Sequence, residues 1–119
     1  MKILILEDNL ERKQYFDKLF RSQTAYHVSS VTEAKDLCEA IVFDVIFLDH
    51  DLDQKIWVPS EEENTGYNFV KWLVESPYQK ESLNYIHSMN PIGANKMLNL
   101  LKDYGRDGIW VPFNMIRSL

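Results

Sequence analysis

The stretch Val45-Ile46-Phe47-Leu48-Asp49-His50-Asp51 decides the fold, because four apolar residues end abruptly in acidic ones. A buried parallel strand has this pattern when its carboxyl end opens onto a ligand-binding crevice. The run Ile3-Leu4-Ile5-Leu6-Glu7-Asp8 repeats the pattern near the start of the chain. Since the carboxyl ends of parallel strands meet at one edge, we expect Glu7, Asp8 and Asp49 to lie together and to bind a hard divalent cation.

A third apolar run, Leu83-Asn84-Tyr85-Ile86, ends in His87-Ser88-Met89-Asn90 and adds an imidazole ring to the same predicted edge. Histidines exchange protons near neutral pH, so His87 and His50 are candidates for a general acid and a general base. Two other interpretations stay open. His87 could be a strand-end histidine bonded to backbone, and His50 could be a solvent-exposed loop residue.

Apolar runs alternate with amphipathic segments along the whole chain. We predict strands at 3–6, 26–31, 45–48, 83–87 and 109–111, and helices at 10–21, from Thr32 onward, at 66–75 and from Pro91 onward. Helix residues expected to face the core include Phe16, Leu19, Cys38, Met97 and Tyr104. This alternation, with short connections, predicts one domain over residues 1–119. Its fold class is α/β, a doubly wound three-layer sandwich around a five-stranded parallel sheet.

Composition limits the function classes. A net charge of −5 over 119 residues argues against a broad face for duplex nucleic acid, but it leaves room for a small anionic ligand. No apolar run approaches the ~20 residues of a membrane span. The apolar run after Lys2 is too short for a signal peptide, and Cys38 has no partner thiol, so we expect a reducing, cytoplasmic location. The oligomeric state stays open.

The connection between Asp49 and Gly66 has no helical period and contains the charge run Glu61-Glu62-Glu63. Long connections of this kind are typical of functional lids, although a solvated insertion is the simpler interpretation. A large ring in a polar loop usually packs over something, which makes Trp57 a candidate lid residue.

The order of elements resembles the receiver domain of two-component response regulators over nearly the whole chain. The acid pair of that family resembles Glu7-Asp8, its phospho-accepting aspartate resembles Asp49, and its hydroxyl residue resembles Ser88. The resemblance implies the strand order 2-1-3-4-5. Two departures stand out: Val111 occupies the position of the receiver lysine, and a chain ending at Leu119 leaves the last helix absent or truncated.

Two motifs are similar to those of a divergent branch, the cyclic-phosphate processing receiver domains. They are Asp49-His50-Asp51-Leu52-Asp53 and His87-Ser88-Met89-Asn90-Pro91. That resemblance implies the opening of cyclic phosphate ends on nucleotides or nucleic acids. A small phosphorylated or cyclic-phosphate molecule would then be the ligand.

Phosphoryl chemistry on such a scaffold needs a cation to neutralise the phosphate oxygens. Glu7, Asp8 and Asp49 are the candidate ligands for Mg²⁺ or Mn²⁺, and Asp51 or Asp53 could add a ligand or hold a metal-bound water. A solvated acidic rim without metal is the alternative.

Ser88 and Asn90 precede the predicted fourth helix, where they could cap it and orient a phosphate. For Asn90, capping alone is the simpler interpretation.

Two functions follow from this pattern. The first is a metal-dependent phosphoesterase in which His87 and His50 exchange protons beside Asp49, and Ser88 and Asn90 orient the phosphate. The second is a stand-alone receiver that is phosphorylated on Asp49 or only binds a partner. The sequence favours the first, because a phospho-accepting receiver needs neither histidine and Val111 replaces its lysine.

Overall fold

The computed structural model of the protein describes residues 1–52, 59 and 62–116. Strands and helices alternate through these residues. The elements are β1 (Lys2–Leu6), α1 (Leu10–Leu19), β2 (Thr24–Val28), α2 (Val31–Ala40), β3 (Val45–Leu48), α3 (Gly66–Glu75), β4 (Leu83–Ile86), α4 (Pro91–Asp103), β5 (Gly108–Trp110) and α5 (Phe113–Ile116).

The five strands form one parallel sheet in the order β2-β1-β3-β4-β5. The predicted doubly wound α/β sandwich and its strand order are therefore confirmed. The last helix is short, as predicted, because α5 has 4 residues within the described part of the chain.

Alternation along the central strands sorts the core into two layers. Ile3 and Ile5 pack with Phe16 of α1 and Phe113 of α5 on one face of the sheet. Leu4 and its neighbours of the same parity pack on the other face against apolar residues of α2, α3 and α4. The side of the sheet that a residue faces therefore follows from its position along the strand.

Two predicted boundaries were wrong at the start of α2. The helix is capped by Ser30 and not by Thr32, because the Ser30 side chain accepts a hydrogen bond from the Glu33 backbone N–H. Its hydroxyl also donates to Glu33 Oε1 at 3.0 Å, and the same oxygen accepts from the Ser29 N–H at 3.4 Å, so the Glu33 side chain folds back onto the start of the helix. The edge strand accordingly ends at Val28, since the following serines turn the chain into the helix.

Two residues expected in the core are exposed. Leu19 is 42% exposed at the last turn of α1, and Tyr104 is 50% exposed at the C-cap of α4. Both lie at helix ends, where the predicted apolar stripe runs past the sheet. Cys38 is buried as expected, and its burial raises the pKa of the thiol to about 12.

The junction between β3 and α3 is unusually close. A Cβ on Gly66 would lie 1.9 Å from the Asp49 carbonyl oxygen, so only glycine fits at the start of this helix. The predictions for Asp53 and Trp57 concern residues outside the described part of the chain. Among the described residues, each helix is too short or too polar to cross a bilayer.

Candidate functional site

Three polar residues follow the ends of three neighbouring strands at the same height. The last residues of β1, β3 and β4 are partners in the sheet register, and the residues after them are Glu7, Asp49 and His87. The Asp49 N–H donates to the Leu6 carbonyl at 3.1 Å, and the His87 N–H donates to the Leu48 carbonyl at 2.9 Å. Equal position gives the three side chains the same parity, so they face α1 and α5.

We call Glu7, Asp49 and His87 the acid group. One ligand atom from each lies within 4.8 Å of the others, and all three side chains are buried. His87 Nε2 lies 2.9 Å from Glu7 Oε1. The predicted meeting of acidic residues with His87 at this edge therefore occurs for these three.

Arg12 partly offsets the negative charge of the acid group. Its Nη1 lies 3.6 Å from Glu7 Oε1 and 3.8 Å from Asp49 Oδ2. Sequence reasoning missed this residue, although a signal was present. Asn9 caps α1, so Arg12 is a cation in the first helical turn, where the helix dipole opposes it. A cation in such a position indicates a nearby anion.

The two carboxylates respond differently to their surroundings. Burial alone would raise the pKa of Glu7, but the hydrogen bond and charge of His87, the Asn9 N–H and Arg12 together lower it. Burial and the charge of Glu7 raise the pKa of Asp49 well above the usual aspartate range, against the weaker effect of Arg12. Asp49 therefore binds its proton more tightly than a free aspartate does, because it is buried beside a second acid.

His87 is held among aromatic rings. The Phe16 ring centroid lies 5.1 Å away, and Phe47 and Phe113 also contact the imidazole. Its Nδ1 is buried and has no hydrogen-bond partner among the described residues. In the neutral ring, the proton therefore lies on Nε2 and is donated to Glu7. The ring points toward the carboxylates, as a proton-transfer role requires.

A second group lies on the opposite side of the sheet edge. His50, one residue after Asp49, is fully buried, and its Nδ1 lies 2.7 Å from Asp51 Oδ1. Asn90 Nδ2 donates to Asp51 Oδ1 at 3.2 Å and lies 3.4 Å from His50 Nδ1. We call His50, Asp51 and Asn90 the amide group. The exposed-loop interpretation of His50 is wrong for this structure.

The amide group is built against α4. A Cβ on Gly93 would lie 2.4 Å from His50 Cγ, so the glycine makes room for the ring. Asn90 Oδ1 accepts from the Gly93 N–H at 3.1 Å and caps the helix. Asn90 therefore does more than cap, since its Nδ2 bonds Asp51 at the same time.

Ser88 is buried, and in the sequence it lies between His87 of the acid group and Asn90 of the amide group. Its hydroxyl oxygen accepts from the Asn90 N–H at 3.0 Å, and its carbonyl accepts from Trp110 Nε1 at 2.9 Å. Ser88 thus links the end of β4 to the cap of α4 and to β5. Its predicted contact with phosphate stays a prediction.

The other predicted metal ligands, Asp8 and Asp51, lie outside the close cluster of ligand atoms. Asp8 follows Glu7 and is half-buried, but the close cluster of ligand atoms does not include it. Asp51 bonds His50 and Asn90. Its assignment as a metal ligand and that of Asp8 stay predictions.

Arg106 and Lys96 are basic residues that could stand in for the receiver lysine, but neither has a described contact with Asp49. Arg106 donates to four backbone carbonyls, including those of Leu73 and Ser76 at the end of α3. Lys96 is exposed on α4. Arg12 is the cation that approaches Asp49 instead.

The donor set of the acid group fits a hard divalent cation. Glu7 and Asp49 offer buried carboxylate oxygens, and burial and the charge of Glu7 raise the pKa of Asp49 because the positive charge of Arg12 offsets them only partly. His87 fits a ligand role less well. A metal on Nε2 would move its proton to Nδ1, which has no described partner, whereas metal-binding histidines usually donate their second N–H.

The chain is similar in structure to solved receiver domains. The chain is similar to a CheY-like response regulator receiver domain from Methylobacillus flagellatus, with a TM-score of 0.69 and 22% identity over 94% of this chain and 85% of that chain. The chemotaxis protein CheY4 of Vibrio cholerae gives a TM-score of 0.67 and 18% identity, covering 98% and 93% of the two chains. At such identities the likeness shows the fold alone.

The family is shown by sequence. No curated protein sequence is significantly similar to this chain. The family model of the cyclic-phosphate processing receiver domain matches residues 2–103, a span that contains the acid group, the amide group and Ser88. The chain therefore belongs to the cyclic-phosphate processing receiver domain family.

Proposed function

We propose that this protein hydrolyses a cyclic phosphate on a nucleotide or a nucleic-acid end in a reaction that depends on a divalent metal. The observation that carries the proposal is the buried Glu7–His87 pair beside Asp49. A receiver that only accepts a phosphoryl group needs no imidazole at this place. A phosphodiesterase does need a group that exchanges protons near neutral pH.

The chemistry makes two demands on protons. Water attacks phosphorus and loses a proton, and the ester oxygen that leaves phosphorus gains one. We assign these transfers to His87 and His50, with His87 acting through the Nε2 proton that it shares with Glu7. Glu7 fixes the orientation of the ring, and the surrounding phenylalanines exclude water from its other edge.

The carboxylates are proposed to hold the cation. Glu7, Asp8 and Asp49 would bind Mg²⁺ or Mn²⁺, with Asp51 as a further candidate. When bound, the cation neutralises charge on the phosphate oxygens and helps to position the ester. Arg12, beside Asp49, supplies a second positive charge for the same phosphate.

The start of α4 is proposed to orient the phosphate. Asn90 caps this helix of 13 residues, and Ser88 holds the Asn90 backbone in place. Backbone N–H groups and the dipole at a helix start favour an anion. Ser88 and Asn90 would thus position the ligand and take no proton themselves.

The competing function is phosphorylation of Asp49. The receiver fold allows it, and Arg12 provides a cation next to Asp49. Val111, at the lysine position, offers no charge to a phosphoryl group, and its backbone N–H bonds the Ile86 carbonyl.

A paired assay decides between the two functions. Purified protein is incubated with nucleoside 2′,3′-cyclic phosphates and Mg²⁺ or Mn²⁺, and in parallel with acetyl phosphate. We expect metal-dependent formation of nucleoside monophosphates, lost in Asp49→Asn and retained in Asp44→Asn, which changes an exposed aspartate before β3. Stable labelling of Asp49 by acetyl phosphate without any hydrolysis would overturn the proposal.

A further inference from the structure

A cleft of about 500 Å³ opens beside the acid group, between α1 and α5. Its lining includes Arg12, Gln14, Tyr15, Met89, Phe113 and Asn114. We call it the α1–α5 cleft. Its volume lies within the range of roughly 300–1,000 Å³ that small-molecule sites occupy.

Arg12 joins this cleft to the acid group. Its Nη1 approaches Glu7 and Asp49, while its guanidinium carbon lies 5.1 Å from the centroid of the Phe113 ring. Two other clefts, of about 530 and 420 Å³, contain none of the residues that contact the acid group. A ligand whose phosphate lies beside Arg12 would therefore extend into the α1–α5 cleft.

The apolar part of the lining suits a flat ring. Met89 is 44% exposed, although its neighbours Ser88 and Asn90 are buried. Tyr15 packs edge-on against Phe113 with ring centroids 5.5 Å apart, which leaves an ordered aromatic wall. Thioether, aromatic and guanidinium groups all pack favourably on the face of a nucleobase.

The polar part of the lining suits the edge of such a ring. Gln14 and Asn114 are exposed, and their side-chain amides bond no residue in the described part of the chain. A carboxamide offers a donor and an acceptor side by side, which matches the paired groups on a base edge. Lys18 offsets Glu11 here, and Arg12, which the cleft shares with the acid group, is the cation that the phosphate of a ligand would meet.

We propose that the α1–α5 cleft binds the nucleobase of a nucleoside cyclic phosphate, with Met89 and Tyr15 against the ring and Gln14 and Asn114 at its edge. This inference rests on the proposed function and names the substrate class of the same site. The ligand is a nucleoside and not a cyclic phosphate on a simple polyol, because a polyol offers neither a flat face nor a base edge.

The test compares a substrate that has a base with one that lacks it. We measure kcat/KM for adenosine and uridine 2′,3′-cyclic phosphates and for glycerol 1,2-cyclic phosphate. The native protein should prefer the better nucleoside by about tenfold to a hundredfold. The double variant Gln14→Ala/Asn114→Ala and the variant Met89→Ala should each bring this ratio toward one. Asn99→Ala, which removes an exposed carboxamide from another cleft, should leave the ratio unchanged. A native ratio near one, or a ratio that the variants do not change, would overturn the base site.

A binding experiment keeps this result separate from the proposed function. If no cyclic phosphate is hydrolysed, the proposed function fails, and the cleft is judged by calorimetry with adenosine and uridine 3′-monophosphates against inorganic phosphate. Binding of one nucleotide at least tenfold tighter than phosphate, lost in the double variant, would support the base site. Equal binding of both nucleotides and inorganic phosphate would overturn it.

Discussion

The two sides of the carboxyl edge of the sheet hold two histidines in different settings. His87 shares one proton with Glu7 among phenylalanine rings, on the side of α1 and α5. His50 bonds Asp51 and Asn90 and packs on Gly93, on the side of α4. Successive residues of a strand face opposite sides, and one position along the strand separates the groups. The two histidines therefore have different surroundings: His87 lies among a carboxylate and aromatic rings, and His50 lies among polar side chains at the start of α4.

The different surroundings of the two histidines indicate different roles for the two sides of the sheet edge. The acid group concentrates negative charge that a cation and a phosphate can use, and Arg12 limits that charge. The amide group satisfies its own polar atoms and ties β3 to the start of α4. The cation and the proton transfer by His87 are therefore expected on the first side, while the second side contributes the proton transfer by His50 and orients the ligand through Asn90.

The largest expected effect comes from removing the His87 ring. His87→Ala should lower the rate of cyclic phosphate hydrolysis about 10²–10⁴-fold, the usual loss for a general acid or base. Metal affinity should change little, because Glu7 and Asp49 remain. Steady-state rates and calorimetric Mg²⁺ titrations check both expectations.

The control for this variant is His27→Ala, which removes a half-buried histidine from the edge strand β2. An unchanged rate in His87→Ala would remove His87 from catalysis. An equal loss in His50→Ala with normal metal binding would show that the two sides share the proton transfers.

The second effect is the stabilisation by metal. Mg²⁺ at about 100 times its Kd should add about 2.7 kcal/mol to the free energy of unfolding, which calorimetry or urea unfolding detects. Asp49→Asn should abolish this gain. Asp51→Asn should keep most of it, since Asp51 already bonds His50 and Asn90. An equal loss of this stabilisation in both variants would indicate that Asp51 also binds the cation. No gain in stability in the native protein would contradict the metal site.

The sequence predicted the meeting of Glu7, Asp49 and His87 for a simple reason. Each follows an apolar run, and parallel strands of similar length end at one edge. That His50 faces the other side was not predicted, although the alternation of a strand places residues that are adjacent in sequence on opposite faces. Arg12 was missed because its partners lie on other elements, and pattern reasoning within one helix does not reach them.

Local chemistry was predictable where its partners are close in sequence. Gly66 begins α3 and Pro91 begins α4, as predicted. Only glycine fits beside the Asp49 carbonyl at the start of α3, and proline is well suited to the first position of a helix. The spacing of Ser30 and Glu33, three residues apart, also predicts the helix cap at Ser30, but Thr32 was chosen as the cap instead. Burial at helix ends was not predictable, as Leu19 and Tyr104 show.

The third effect is a pH dependence that arises mainly in the acid group. Burial and the charge of Glu7 raise the pKa of Asp49, so the folded state holds this proton more tightly than the unfolded chain does. The metal-free protein should therefore lose stability as the pH rises from the ordinary aspartate range through the raised pKa of Asp49. Glu7 has a lowered pKa and acts in the opposite sense, since its contribution is lost as the pH falls below the ordinary glutamate range.

Urea unfolding with a chelator, from about pH 4 to about pH 8, measures this dependence. Asp49→Asn should be more stable than the native protein at the upper end, by on the order of 1 kcal/mol, and should show a flatter profile. The matched variant Asp51→Asn, on the other side of the sheet edge, should keep most of the native slope, because the charge of Asp51 makes the smallest contribution to the raised pKa of Asp49. Identical slopes in the native protein and Asp49→Asn would contradict the raised pKa assigned to Asp49.

The smallest effect separates the two roles of Asn90 in the amide group. Asn90→Ser keeps an oxygen that can accept from the Gly93 N–H, because serine caps helices about as well as asparagine does, but it removes the Nδ2 donor to Asp51. Asn90→Ala removes both and should cost about 1 kcal/mol more in the free energy of unfolding than the serine variant. Ser30→Ala, at the cap of α2, gives the cost of losing a cap away from the amide group. If serine and alanine are equally destabilising, the cap contributes nothing measurable, and the bond from Nδ2 to Asp51 carries the whole effect. If the serine variant is as stable as the native protein and yet hydrolyses the cyclic phosphate more slowly, the Asn90 Nδ2 group acts in positioning the ligand or His50 and not in stability.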